Sequence, residues 1–176
     1  MNRFLVPLGV FALLVAVLAI AIRHAPEKGI IASPLIGKPA PAFDLPSLLE
    51  PRQRVSAAGL QGHWYLLNVW ATWCGECRAE HEMLLKVKAT GAVPLVGIDW
   101  KDDDQRAHEW LEQLGNPYQV VAVDRAGRTA IDWGVYAAPE SFLVNPQGIV
   151  VYKVIGALTE DTWMHQVLPR VQGSLR

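Results

Sequence analysis

The sequence predicts an α/β fold in which a central mixed sheet is flanked by helices, with one transmembrane helix before it. Apolar runs alternate with amphipathic segments over residues 65–123, which is typical of parallel strands joined by helices. A turn at residues 145–148 then separates two further apolar runs, which indicates an antiparallel hairpin. An uncharged apolar run over residues 4–22 precedes these elements and predicts the membrane helix.

The chain of 176 residues divides by composition into three segments. We expect a membrane anchor over residues 1–23, a tether containing proline and glycine over residues 24–36, and one globular domain over residues 37–176. The domain has a length that suits a single hydrophobic core. The formal net charge is -1 and the basic residues do not cluster, so no nucleic-acid partner is expected.

The run over residues 4–22 is long enough to cross a bilayer, because about 20 helical residues span a hydrocarbon core of about 30 Å. Arg3 precedes the run and Arg23 follows it, so the flanking charges do not decide its orientation. The alternative is a cleaved signal peptide, since Ala19-Ile20-Ala21 resembles a small-residue cleavage site. The length of the run exceeds that of an ordinary signal core and favours an anchor.

The sequence predicts a strand, then a helix, then a second strand in the first part of the folded region. The mostly apolar run at residues 65–70 predicts a strand buried on both faces. Residues 76–88 have helical periodicity, and residues 93–99 predict a second buried strand. The apolar face expected for the helix consists of Ala79, Met83, Leu84 and Val87.

A second helix is predicted over residues 103–114, because Gly115, Asn116 and Pro117 form a typical helix end. Asp102, Asp103 and Asp104 are expected to form a solvated start of this helix, with metal binding as the alternative. The remaining elements are three strands and a final helix, at residues 119–123, 141–144, 149–156 and 159–171.

The sequence contains two cysteines, Cys74 and Cys77, which follow the first predicted strand and open the next helix. Cysteines this close cannot link distant parts of a fold. At the start of a helix, unpaired amide hydrogens and the positive end of the helix dipole stabilise a thiolate. We therefore predict a redox-active pair in which Cys74 is the nucleophile and Cys77, one turn deeper, is the resolving thiol.

Two other interpretations of the pair remain, namely inert buried thiols and half of a zinc site completed by His81. Structural zinc normally takes four cysteine or histidine ligands, and the sequence has no second cysteine pair. Cys77 is followed by Arg78 rather than by histidine, which excludes a c-type haem attachment site. Thiol–disulfide exchange needs neither a metal nor an organic cofactor, and none is expected.

The residues around the cysteines resemble those of a known family. The stretch Leu67-Asn-Val-Trp-Ala-Thr-Trp-Cys-Gly-Glu-Cys-Arg-Ala-Glu-His81 is similar to the active-site stretch of the thioredoxin-like DsbE or CcmG proteins of cytochrome c maturation. Residues 134–144 resemble that family's segment around its cis-proline, and residues 37–43 and 114–118 resemble two further segments. The resemblance runs from residue 37 to the C-terminus and implies a thioredoxin-like domain.

The resemblance implies functions for three residues outside the cysteine pair. Pro139 is expected to follow a cis peptide and to face the cysteines, which leaves the backbone near Ala138 free to pair with an extended substrate. Glu80 and Glu140 are expected to lie near the cysteines, where negative charge disfavours the Cys74 thiolate. The alternative for these two glutamates is that they are solvated surface carboxylates.

The sequence also departs from the family pattern. Glu76 places a charge between the cysteines, and Ala137 stands where the family often has glycine. Asn68 occupies the position at which general thioredoxins carry a buried aspartate that assists proton transfer, so Glu80 becomes the candidate for that task. Trp73, next to Cys74, is expected to shape the contact surface.

The resemblance implies a single-pass protein of the bacterial inner membrane whose catalytic domain faces the periplasm. It would reduce disulfides of apocytochrome c or of a cysteine-bearing maturation protein, and an inner-membrane electron donor of the CcdA or DsbD type would re-reduce it. The alternatives are a general disulfide reductase of the envelope and a non-redox binding module for apocytochrome or haem. The residues alone support dithiol exchange without its direction, because direction depends on differences in reduction potential.

Overall fold

The computed structural model describes residues 5–23 and 33–173. These residues fall into two compact units, one within residues 1–31 and one within residues 32–176. Helix α1 (Leu5–Arg23) forms the first unit, and its side chains are described at positions 7–18 and 20. Among the residues that the structure describes, no helix is both long enough and apolar enough to cross a membrane. Most of the predicted tether, residues 24–32, lies outside the described residues.

The second unit is built on a five-stranded mixed sheet. Its strands are β3 (Tyr65–Trp70), β4 (Leu95–Trp100), β5 (Val120–Asp124), β6 (Glu140–Val144) and β7 (Val150–Ile155), after a separate ribbon of β1 (Asp44–Pro46) and β2 (Arg54–Ser56). The order across the sheet is β5-β4-β3-β6-β7. β3, β4 and β5 are parallel, whereas β6 and β7 are antiparallel. The predicted mixed sheet is therefore confirmed.

The helices alternate with the strands, as the sequence predicts. They are α2 (Gly75–Thr90), α3 (Asp104–Leu114), α4 (Arg128–Asp132), α5 (Glu160–Thr162) and α6 (Leu168–Gly173), with a π-helical turn at Trp163–Val167 between the last two. The final helix, predicted over residues 159–171, is therefore interrupted by a π-helical segment. The ribbon β1–β2 and helix α4 were not predicted, because segments of three to five residues are too short to show a hydrophobic period.

Two hydrophobic layers cover the two faces of the sheet, since strand side chains alternate between faces. One layer holds α2, α3 and the C-terminal helical segment, through residues such as Leu84, Trp110 and Trp163. The other layer holds the ribbon and the segment after α4, through residues such as Phe43 and Trp133. The cysteines belong to the first layer, so buried side chains that contact them lie on the same face of the sheet.

Candidate active site

A disulfide joins Cys74 and Cys77 across the first turn of α2, with an S–S length of 2.11 Å and a Cα–Cα distance of 5.3 Å. Cys74 is the N-cap residue of the helix, and its sulfur accepts a hydrogen bond from the Cys77 backbone N–H at 3.1 Å. That N–H is one of the first-turn donors with no partner inside the helix. The same donor can stabilise negative charge on the Cys74 sulfur after reduction.

The segment that leads into Cys74 is held by the loop between β4 and α3. Asp102 accepts hydrogen bonds from both the backbone N–H and the hydroxyl of Thr72, the latter at 2.8 Å. The Trp73 indole N–H donates to the Lys101 carbonyl at 3.2 Å, yet the Trp73 side chain remains 56% exposed. Trp73 is therefore fixed in place and presented to solvent beside the disulfide, where a partner protein can contact it.

The segment that contains Pro139 contacts Cys74 through the residue before it. The Ala138–Pro139 peptide bond is cis, as the family resemblance implies, and the Ala138 carbonyl oxygen is 3.4 Å from the Cys74 sulfur. The structure thus brings the half-buried Ala138, which precedes Pro139, into contact with Cys74. Pairing of this backbone with an extended substrate stays a prediction.

Glu80 is buried in α2 within a network of hydrogen bonds, with 2% of its surface exposed. One carboxylate oxygen accepts from the Asn68 side-chain amide at 2.9 Å, and the other accepts from the Leu158 backbone N–H at 2.7 Å. Asn68 also donates to the Ser141 hydroxyl at 3.0 Å and accepts from the Tyr118 hydroxyl at 2.7 Å. The alternative that Glu80 is a solvated surface carboxylate is wrong.

The burial of Glu80 changes its acid–base behaviour. Burial raises the pKa of Glu80 to about 7, although its hydrogen bonds from Leu158 and Asn68 act in the opposite direction. Glu80 follows Cys77 by three residues and so lies one turn further on the same face of α2. A carboxyl group with a pKa near neutrality is well suited to exchange protons at neutral pH, which fits the predicted function of Glu80 in proton transfer.

Glu140 is also buried, at 0% exposure, so the solvated alternative is wrong here as well. Its carboxylate lies 2.7 Å from the Lys153 ammonium group, which also donates to the Gly134 carbonyl at 3.0 Å. The contact with Glu140 is mainly electrostatic, because neither of its carboxylate oxygens accepts a well-directed hydrogen bond from the described residues. The positive charge of Lys153 opposes the effect that Glu140 was expected to have on Cys74.

The structure does not bring the two glutamates together. Glu140 and Phe142 are two residues apart in β6, so both point to the face of the sheet that packs against Trp133. Glu80 reaches the sheet from α2, which packs on the other face. Sequence reasoning did not identify Lys153 as the partner of Glu140. A lysine within the apolar strand at residues 149–156 was the available signal, because lysine is almost never fully buried without a partner.

His81 uses both ring nitrogens in contacts within the protein, which argues against the zinc interpretation. One ring nitrogen, Nδ1, accepts a hydrogen bond from the Trp110 indole N–H at 3.3 Å, and the other, Nε2, lies 2.9 Å from the Gly115 carbonyl oxygen. Because Nδ1 accepts, the ring proton belongs on Nε2, where it is donated to the carbonyl. Both ring nitrogens are used, and both sulfurs are in the disulfide, so these groups offer no free metal ligand.

Comparison with known proteins agrees with this geometry. The Redoxin family profile matches residues 35–168. The thiol:disulfide interchange protein DsbE of Allochromatium vinosum is 41% identical over 170 residues, which cover 97% of this chain and 93% of that protein. This chain belongs to the DsbE family. DsbE of Pseudomonas aeruginosa is 42% identical over 168 residues, which cover 96% of this chain and 92% of that one.

The solved structures show the same fold. A secreted thiol-disulfide isomerase from Corynebacterium glutamicum superposes with a TM-score of 0.65 at 22% identity, over 76% of this chain and 85% of that chain. The resemblance to DsbE and the thioredoxin-like fold are therefore confirmed. Together with the disulfide at the start of α2, membership of the DsbE family shows that the protein is a thiol–disulfide oxidoreductase.

Replacing Glu80 by glutamine is expected to reduce the pH dependence of stability. The pKa of Glu80 is about 7 in the folded protein against an ordinary value of 4.5, so the folded state binds this proton more tightly and stability falls as the pH rises between these values. The shift corresponds to a loss of roughly 3 kcal/mol across that range. Glutamine does not ionise, so the free energy of unfolding in urea should fall by about 2.5 kcal/mol less between pH 5 and pH 8 than in the wild type. An equal fall in both proteins would show that Glu80 is not the titrating group.

Proposed function

We propose that the protein reduces disulfides of apocytochrome c, or of a cysteine-bearing maturation protein, during cytochrome c biogenesis. Cys74 is the nucleophile and Cys77 the resolving thiol in this proposal. The observation that supports this assignment most strongly is the N-cap position of Cys74, whose sulfur accepts the Cys77 backbone N–H. Both cysteines are mostly buried, with Cys74 6% and Cys77 3% exposed, and Cys77 lies further into the helix than the N-cap Cys74.

The reaction proceeds in two exchange steps. The Cys74 thiolate attacks one sulfur of the partner disulfide, and that bond breaks to leave a thiolate on the partner, which takes up a proton. Cys77 then loses its proton and attacks the Cys74 sulfur, which releases the second partner thiolate and forms the Cys74–Cys77 disulfide. The partner gains two electrons and the cysteine pair loses two. Glu80 is the proposed acceptor of the Cys77 proton, because it lies one helical turn away on the same face.

The oxidised pair must be reduced again before another cycle. We propose an inner-membrane dithiol donor of the CcdA or DsbD type, which passes two electrons to the pair by the same exchange in reverse. The exposed Trp73 and the backbone near Ala138 form the proposed contact surface for both partners, because they flank the Cys74 sulfur. No metal or organic cofactor takes part in either exchange.

We also propose a membrane location, with residues 1–23 as the anchor, residues 24–36 as the tether and residues 37–176 as a catalytic domain in the periplasm. The uncharged run over residues 4–22 supports this, and α1 exposes large apolar side chains such as Leu8 and Phe11. Alkaline extraction of membranes tests the anchor. The full chain should stay in the membrane and a form lacking residues 1–23 should not, whereas a cleaved signal would leave the full chain in the soluble fraction.

Trapping the partner tests the specific function. A Cys77→Ser protein cannot resolve the mixed disulfide, so Cys74 should remain attached to its physiological partner in the cell. We expect mass spectrometry of the trapped species to identify apocytochrome c or a maturation protein. The matched control carries Cys74→Ser as well and should trap nothing. Attachment of many unrelated envelope proteins would instead favour a general disulfide reductase, and absence of any adduct would favour a non-redox binding module.

A further inference from the structure

Asp99 is a buried carboxyl group that the proposed exchange does not use. It lies at the C-terminal end of β4, opposite Trp70 of β3, and is 0% exposed. Neither of its carboxylate oxygens accepts a hydrogen bond from a donor in the described part of the chain. An ionised carboxylate buried without a donor is unfavourable, so the surroundings of Asp99 favour its protonated form.

The groups that face Asp99 strengthen this preference. Burial raises the pKa of Asp99 to about 8, and the nearby carboxylates of Asp102 and Asp104 act in the same direction. Arg125 opposes them, but its side chain donates to Asp104 at 3.1 Å, which offsets its charge. Tyr118, whose pKa burial raises well above its ordinary value so that it stays a neutral phenol, is also close enough to Asp99 to interact with it electrostatically. Asp102 accepts three hydrogen bonds from Thr72 and Asp103, so a hydrogen bond between the two carboxyl groups would need Asp99 as its donor.

Asp102 connects Asp99 to the active site. Its carboxylate holds the Thr72 backbone N–H and hydroxyl, and also accepts the Asp103 backbone N–H at 2.8 Å. Thr72 is two residues before Cys74, and the adjacent Trp73 donates to the backbone of Lys101 in the same loop. Asp102 was expected to belong to a solvated helix start, but it is half-buried and fixes the segment that leads into the nucleophile.

We propose that Asp99 is a positioning residue, whose protonated carboxyl donates a hydrogen bond to Asp102 and so keeps Asp102 in place to hold Thr72. Loss of the Asp99 proton leaves two facing carboxylates with no proton between them, and their repulsion displaces the half-buried Asp102. The segment before Cys74 then loosens in mildly alkaline solution. The functional consequence rests on the proposed attack by Cys74, whereas the hydrogen bonds themselves do not.

The amide resonance of Thr72 reports this arrangement directly. In the full-length protein, oxidised so that no thiol titrates, we expect its NMR chemical shift to change with an inflection near pH 8. In Asp99→Asn the inflection should be absent, because the asparagine amide donates to Asp102 at every pH. In Asp99→Leu, which has no donor, the Thr72 amide should exchange with solvent at least about tenfold faster than in Asp99→Asn at neutral pH.

The matched control is Glu80→Gln, which removes a different buried carboxyl group and should keep the inflection. A Thr72 shift that does not change with pH in the wild type, or an inflection that persists in Asp99→Asn, would overturn the proposal. Because these measurements use the disulfide form, such a result would leave the proposed exchange reaction standing. Conversely, failure of Cys74 to react with disulfides would overturn the exchange reaction without affecting the Thr72 result.

Discussion

Replacing Cys74 by serine is expected to lower the rate of disulfide reduction at least about a thousandfold, equivalent to roughly 4 kcal/mol of activation free energy. The serine hydroxyl does not ionise at neutral pH and cannot form a mixed disulfide, so the first exchange step is lost. We expect that the Cys77 sulfur does not substitute for it, because Cys77 lies within α2 rather than at its N-cap and is the less exposed of the two cysteines, at 3% against 6%. The measurement is the rate at which the prereduced protein reduces a peptide disulfide.

The matched control for this experiment is Cys77→Ser, which retains the nucleophile. It should complete the first step at nearly the wild-type rate and then stop as a mixed disulfide with the peptide. If Cys74→Ser retains more than about a tenth of the activity, or if Cys77→Ser is the variant that forms no adduct, the assignment of nucleophile and resolving thiol is contradicted.

Replacing Lys153 by methionine is expected to lower the free energy of unfolding by about 3 to 5 kcal/mol. Lys153 and Glu140 form an ion pair at 2.7 Å in which both side chains are almost fully buried. Methionine has a similar length and no charge, so the main effect of the change is to leave the Glu140 carboxylate buried without a compensating charge. Unfolding in urea, measured on the oxidised form of both proteins, gives the difference.

The control for the ion pair is the double variant Glu140→Gln with Lys153→Met. Removing both charges should recover most of the lost stability, because a buried pair adds little over neutral groups that fill the same space. A double variant that is no more stable than Lys153→Met would show that the loss comes from packing around Tyr136 and Phe142, whose rings Lys153 also contacts, rather than from the charge on Glu140.

The main sheet and the position of the cysteines can be predicted from the sequence because they depend on local signals. Strand β3 has the predicted bounds, residues 65–70, since all of its residues are buried and mostly apolar. The hairpin between β6 and β7 follows from its turn, in which Gly148 has a positive φ of 74° and donates to the Asn145 carbonyl at 2.8 Å. Such signals lie within a few residues of the structure that they specify.

The buried polar groups cannot be predicted in the same way, because their partners are distant in the sequence. Ala79 was expected on the buried face of α2 but is exposed, while Glu80 and His81 are buried. The side chain of Glu80 is satisfied by Asn68 and Leu158, which are 12 and 78 residues away. A hydrophobic period assigns charged residues to the solvent side of a helix, so it misplaces those whose partners come from the tertiary structure.

The most direct test of the central claim compares the reactivities of the two reduced thiols. The claim is that the sulfur of residue 74, at the first turn of α2, is the one that attacks. Brief alkylation of the reduced protein over a range of pH, followed by peptide mass spectrometry, measures each thiol separately. We expect Cys74 to be labelled much faster than Cys77 and to remain reactive at lower pH. Equally slow labelling of both thiols, or faster labelling of Cys77, would contradict the claim.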